Sequence, residues 1–94
     1  MTKFDKLFQE LADKATSANI KCKDFTKLLC DFGFDVKDGE SGGHKVVTHP
    51  KISSWYGSNY NCRHSSGADV KRVYIKNFLK IVKEYENELR EILE

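Results

Sequence analysis

The stretch FDVKDGESGGHKVVTHP, residues 34–50, decides how this chain folds. Its first five residues alternate apolar and polar, as a half-buried strand does. GESGG, residues 39–43, is a turn sequence. HKVVTH, residues 44–49, is a second strand, stopped by Pro50. Sequential strands joined by a short turn pair antiparallel. One residue is left to explain. The turn needs only its glycines and the strand only its valines, yet His44 sits where one becomes the other.

Upstream of the hairpin the period is helical. Phe25, Leu28, Leu29 and Phe32 form the stripe of a short helix that begins near Lys23 and Asp24. Asp24 suits its first turn, and Gly33 ends it as the C′ residue. Earlier still, Phe4, Leu7, Phe8, Leu11, Ala12 and Ala15 make one stripe on a first helix, ended by ATSAN. Downstream, KISSWYG (residues 51–57) is irregular and NYNCRH (59–64) is a third strand. SSGAD follows as a loop whose Asp69 is placed to cap a helix. Val73, Tyr74, Phe78, Ile81, Val82, Tyr85, Leu89 and Ile92 then mark one long terminal helix with a glutamate-rich end.

The expected order is helix-helix-strand-strand-strand-helix. This is an α+β fold: a small three-stranded antiparallel sheet with helices packed on one face and the other face open to water or a ligand. Ninety-four residues leave room for one core. Six phenylalanines, four tyrosines and a tryptophan are enough to fill it.

No apolar run approaches the roughly 20 residues needed to cross a bilayer. The first residues are charged throughout, unlike a secretory signal. Cys22, Cys30 and Cys62 are odd in number and lack Cys-x-x-Cys spacing, so they are expected to be reduced and partly buried. Together these features predict a cytoplasmic protein with no membrane role. Net charge is only +2. Cations cluster between Lys37 and Lys76, together with all three histidines, while the C-terminal end is acidic. A basic middle is a modest hint of a polyanionic ligand, but charge alone is more often an unevenly charged solvated surface.

Strand alternation puts His44, Val46 and Thr48 on one face of the second strand and Lys45, Val47 and His49 on the other. On the third, Tyr60, Cys62 and His64 oppose Asn61 and Arg63. Which face is open does not follow from sequence. A zinc site drawn from His44, His49, Cys62 and His64 has suitable atom types but not the tight paired spacing such sites show. No metal or cofactor is therefore assigned. A Cys–His nucleophilic pair lacks a third, orienting group. General acid–base chemistry needs less: a histidine, which titrates near neutrality, and cations such as Lys45 and Arg63 to hold a phosphate.

NIKCKDFTKLLCDFGFDVKDGESGGHKVVTHP, followed by NCRHSSGADVKRVYIKNFLKIVKE, resembles the HicA toxins of bacterial toxin–antitoxin systems. Gly33-Phe34 matches the helix end of that family. Gly42-Gly43-His44 matches its Gly-Ser-His, and Val46, Val47 and His49-Pro50 match its strand. Arg63-His64, Val70-Lys71 and Tyr74-Ile75 match the strand end and helix start. The resemblance covers residues 19–83 of a single domain spanning 1–94. Residues 1–18 add an N-terminal helix and 84–94 extend the last one. It implies a double-stranded-RNA-binding-domain-like fold, metal-independent endoribonuclease cleavage of mRNA, and neutralisation by a HicB-like antitoxin. It places the catalytic histidine at His44. Gly42, Gly43, Lys45, Arg63 and His64 are the expected RNA contacts. The chain departs from the pattern in carrying Gly43 in place of serine and Glu40 in the loop. A non-catalytic RNA- or protein-binding module of the same fold is the alternative.

Overall fold

The alternation over residues 34–50 forms an antiparallel hairpin. β1 (Asp35–Asp38) pairs with β2 (His44–Thr48), Val36 opposite Val47 and Asp38 opposite Lys45. β3 (Ser58–Asn61) joins the other edge of β2, with His44 opposite Asn61 and Val47 opposite Ser58. The sheet order is β1-β2-β3. The structure, a computed structural model, describes residues 2–16, 20–40, 43–62 and 68–94.

Among the described residues four helices accompany the sheet: α1 (Lys3–Thr16), α2 (Cys22–Asp31), α3 (Arg72–Glu84) and α4 (Glu86–Leu93). The fold is α+β, as expected. α2 ends at Gly33 in the way the glycine predicts. Gly33 adopts φ 96°, its N–H donates to the Cys30 carbonyl, and the Phe34 N–H donates to the Leu29 carbonyl. This 6→1 and 5→2 pair of bonds satisfies helix-end carbonyls that would otherwise be orphaned. It also turns the chain so that Phe34 enters the core at the head of β1.

That core lies between the helices and one sheet face. Val47 and Tyr60 are fully buried from the sheet side, facing Phe25, Leu29, Phe78 and Val82 from the helices. Phe25 meets Tyr60 edge-on with centroids 5.0 Å apart, and Phe78 touches Phe25, Phe34 and Tyr60. Each such ring contributes about 1.5–3 kcal/mol on full burial. The Tyr60 hydroxyl shares a hydrogen bond with Thr26 Oγ1, and burial pushes its phenol up to about 12.

α1 is part of this core. Phe4, Leu11 and Ala15 are buried, and α1 packs against α2, α3 and α4. Arg90 of α4 fastens its first turn: the guanidinium donates to Asp5 Oδ1 at 2.7 Å and stacks 4.4 Å above the Phe4 ring.

Several expectations need correcting. The terminal helix is divided. Tyr85 (φ −105°, ψ 25°) leaves helical geometry between α3 and α4, although Leu89 N–H still donates to its carbonyl. β3 stops at Asn61 rather than continuing through Cys62, and residues 63 and 64 lie outside the described residues. Asp69 caps no helix. It forms an isolated bridge with Lys21 and an ion pair at 3.5 Å, while Lys71 occupies the N-cap of α3.

The cysteines are the largest correction. Cys22 and Cys62 are joined in a disulfide, Cα atoms 5.5 Å apart, and only Cys30 is free. The first residue of α2 is thus tied to the end of β3. The bridge is local in space but 40 residues apart in sequence, so spacing could not reveal it. The expectation of a cytoplasmic location loses the support it drew from reduced thiols. Among the described residues, no helix is long and apolar enough to cross a membrane.

Candidate functional site on the open sheet face

The helices settle which face is open. Val47 and His49 point into the core, so His44, Val46 and Thr48 point outward. Asn59 and Asn61 of β3 and Asp35 and Lys37 of β1 share that outer face. His44 is half-buried at the head of β2, opposite Asn61. Its imidazole fills the space above Gly39, whose N–H donates to the His44 carbonyl at 2.8 Å.

Gly43 precedes it at φ 84°, a backbone conformation that any L side chain, serine included, adopts only with strain. Its carbonyl accepts the Cys62 N–H at 2.6 Å, so the turn is stitched to the end of β3 just before the disulfide. Glycine at 43 is thereby explained by backbone geometry.

Lys45 is separated from His44. It points to the opposite face, and its ammonium pairs with the Asp38 carboxylate across the hairpin. Lys37, diagonal to His44 on the outer face, pairs with Asp35 at 3.6 Å. Gly42, Arg63 and His64 lie outside the described residues. Of the six residues expected at the site, the structure therefore joins Gly43 and His44 and turns Lys45 away.

The histidine and cysteine of the zinc set are dispersed as well. His49 lies in the core, 6% exposed, and Cys62 is consumed by the disulfide. Among the described residues there is no group of three His, Cys, Asp or Glu side chains fit to hold a metal ion. His49 has a structural role instead. Its Nδ1 accepts the Lys51 N–H at 3.1 Å, its Nε2 faces the Phe32 carbonyl at 3.4 Å, and its ring meets the edge of Phe34. Burial holds its pKa below the ordinary histidine value.

His44 opens onto a shallow concavity of about 250 Å³, shared with Val46, Tyr56, Gly57, Ser58 and Asn59. The Tyr56 ring is 99% exposed. Sequence reading passed over this tyrosine because it falls in the irregular stretch 51–57, where no period assigns a direction. Its signal was the pair Trp55-Tyr56 beside Gly57. A second concavity, of about 370 Å³, lies between α1 and α2. Two of its lining lysines are paired, Lys27 with Asp31 and Lys21 with Asp69, and its lining also carries Glu10 and Asp24. Chemically, the outer face offers a proton acceptor or donor at His44, amides from Asn59 and Asn61, and an exposed aromatic ring.

No family model matches the chain, and no curated protein or solved structure resembles it significantly.

Proposed function

We propose that this chain is a HicA-like toxin, a metal-independent endoribonuclease that cleaves mRNA in the cytoplasm with His44 as general acid–base catalyst. One observation carries the reading: His44 stands on the open face of the sheet, at the head of the middle strand and the rim of a concavity. The order α2-β1-β2-β3-α3, with helices on one face, also suits the double-stranded-RNA-binding-domain-like fold that the reading requires.

In this mechanism the His44 imidazole takes the proton of a ribose 2′-OH. The oxygen attacks the adjacent phosphorus, the 5′-oxygen leaves and is protonated, and the products end in a 2′,3′-cyclic phosphate and a 5′-hydroxyl. Arg63 is the proposed phosphate contact, with His64 as a helper and the Gly42-Gly43 backbone close to the chain. Lys45, turned to the opposite face and paired with Asp38, is not used in this mechanism. The proposed protein partner is a HicB-like antitoxin that covers the open face. Induced expression should arrest growth for the wild type and not for His44→Ala. Equal arrest by both would rule His44 out as the catalyst.

A specific observation favours a second reading, a binding module without cleavage. The His44 ring covers Gly39, a structural task in itself, and neither Lys45 nor Lys37 is a free cation beside it. Purified wild-type protein that binds RNA or a HicB-like protein without cutting RNA would decide for this module.

A further inference from the structure

The loop between β2 and β3 turns its two neighbouring rings in opposite directions. Ile52 is buried, and Trp55 packs inward with its ring 5.2 Å from Phe34 and 6.4 Å from Tyr85. The Trp55 N–H donates to the Ile52 carbonyl at 3.3 Å. Gly57 follows at φ 106°, where a Cβ would come within 2.7 Å of the Val47 carbonyl oxygen. The loop is therefore pressed onto β2 and pinned from inside, and Tyr56 is held out over the open face.

A single exposed ring is ordinary on a protein surface. This one stands apart because it is anchored on both sides and borders the same concavity as His44. The lining includes Val46, which is 40% exposed, and the amide of Asn59, and it carries no carboxylate to repel a polyanion. A ring face, an apolar floor and an amide that both donates and accepts are the features that receive a nucleobase outside a duplex.

We infer that Tyr56, with Asn59, is the stacking platform for one unpaired base of the substrate, so that the RNA is single-stranded where it meets His44. The inference rests on the RNA reading above. Val47, beside the platform, is three residues from His44, roughly 10 Å along the strand. The stacked base thus belongs to a nucleotide neighbouring the scissile phosphate. A base already paired and stacked within a duplex has no free face to offer the ring.

The test is fluorescence anisotropy with a labelled 2′-O-methyl RNA oligonucleotide, which lacks the 2′-OH and cannot be cut, presented single-stranded and as a duplex. Tyr56→Ala should weaken single-strand binding about 5- to 150-fold, the range for loss of one base stack, while Tyr56→Phe binds like the wild type. Duplex binding should be weaker than single-strand binding and insensitive to either change. Unchanged melting of both variants shows that the fold is intact, since the ring touches solvent. If Tyr56→Ala binds the single strand as the wild type does, or the wild type prefers the duplex, this inference falls and the RNA reading stands. If the wild type binds neither form, both fall together.

Discussion

A Cβ placed on Gly39 would lie 2.5 Å from His44 Nδ1, so the imidazole occupies the space a side chain at position 39 would take. The two residues face each other across the end of the β1–β2 hairpin, bonded through the Gly39 N–H and the His44 carbonyl. An aromatic side chain lying over a cross-strand glycine shields backbone that would otherwise be bare. The same contact fixes where the imidazole points.

Gly39→Ala should therefore displace the His44 ring. Gly39 has no positive φ, so alanine meets no backbone strain there and the ring is the group that gives way. The expected outcome is a melting temperature within a few degrees of wild type together with a clear loss of cleavage. Full cleavage by Gly39→Ala would mean that the orientation of His44 does not matter to activity.

The disulfide gives the second prediction. Thiol titration of the denatured, unreduced protein should count one free thiol, Cys30, and three after reduction. Closing a loop of about 40 residues is worth roughly 4 kcal/mol by chain entropy, at the upper end of measured effects. Reduction, or a Cys22→Ser/Cys62→Ser double variant, should lower the melting temperature by about 15–30 °C for a domain of this size. Three reactive thiols before reduction would remove the bridge from the account.

Stability should also fall on acidification because of His49. Its folded pKa lies below the unfolded value, so the folded state prefers the neutral ring. The stabilisation is present above the ordinary histidine pKa, near 6.5, and is lost as pH falls below it towards the folded value. The main cause is burial of the ring, with the Lys51 charge acting in the same direction; Nδ1 also accepts the Lys51 N–H, and a proton there would set two donors against each other. The slope from this group cannot exceed about 1.4 kcal/mol per pH unit. Denaturant melts from pH 7.5 to 5.5 should show it in the wild type and lose it in a folded His49→Gln variant. An equal slope in both would assign the effect elsewhere.

Leu29 tests the core. It is fully buried, and its carbonyl receives the bond that ends α2. Leu29→Ala should cost about 2–5 kcal/mol, measured by denaturant unfolding. A loss below 1 kcal/mol would contradict the packing of α2 on the sheet.

Much of this fold was legible because its signals are local. Alternation over residues 34–38 and 44–49 gave the hairpin, and Gly33 marked the end of α2. What escaped depends on distant parts of the chain. The break at Tyr85 has no glycine or proline to announce it. Asp69 is a good cap by type, but Lys21, distant in sequence, claims it. The Cys22–Cys62 bond follows from the fold that carries β3 back to the start of α2. The open face was undecidable from residues 44–49 alone, since each alternating set holds a valine and a histidine; only the helices distinguish Val47, fully buried, from Val46, 40% exposed. His44, singled out in sequence by its place behind two glycines, lies on the outer face. Tyr56 lies in irregular chain, which has no period to assign it a direction, and Lys45 takes the face opposite His44 that strand alternation gives it.

The central claim, that His44 cuts RNA without a metal, is tested most directly by incubating purified wild-type and His44→Ala protein with a single-stranded RNA in excess chelator and analysing the 3′ ends. The account predicts that the wild type cleaves in chelator and leaves a 2′,3′-cyclic phosphate, while His44→Ala, folded and still binding RNA, does not cut. Cleavage by His44→Ala at the wild-type rate, or wild-type cleavage abolished by the chelator, would contradict it.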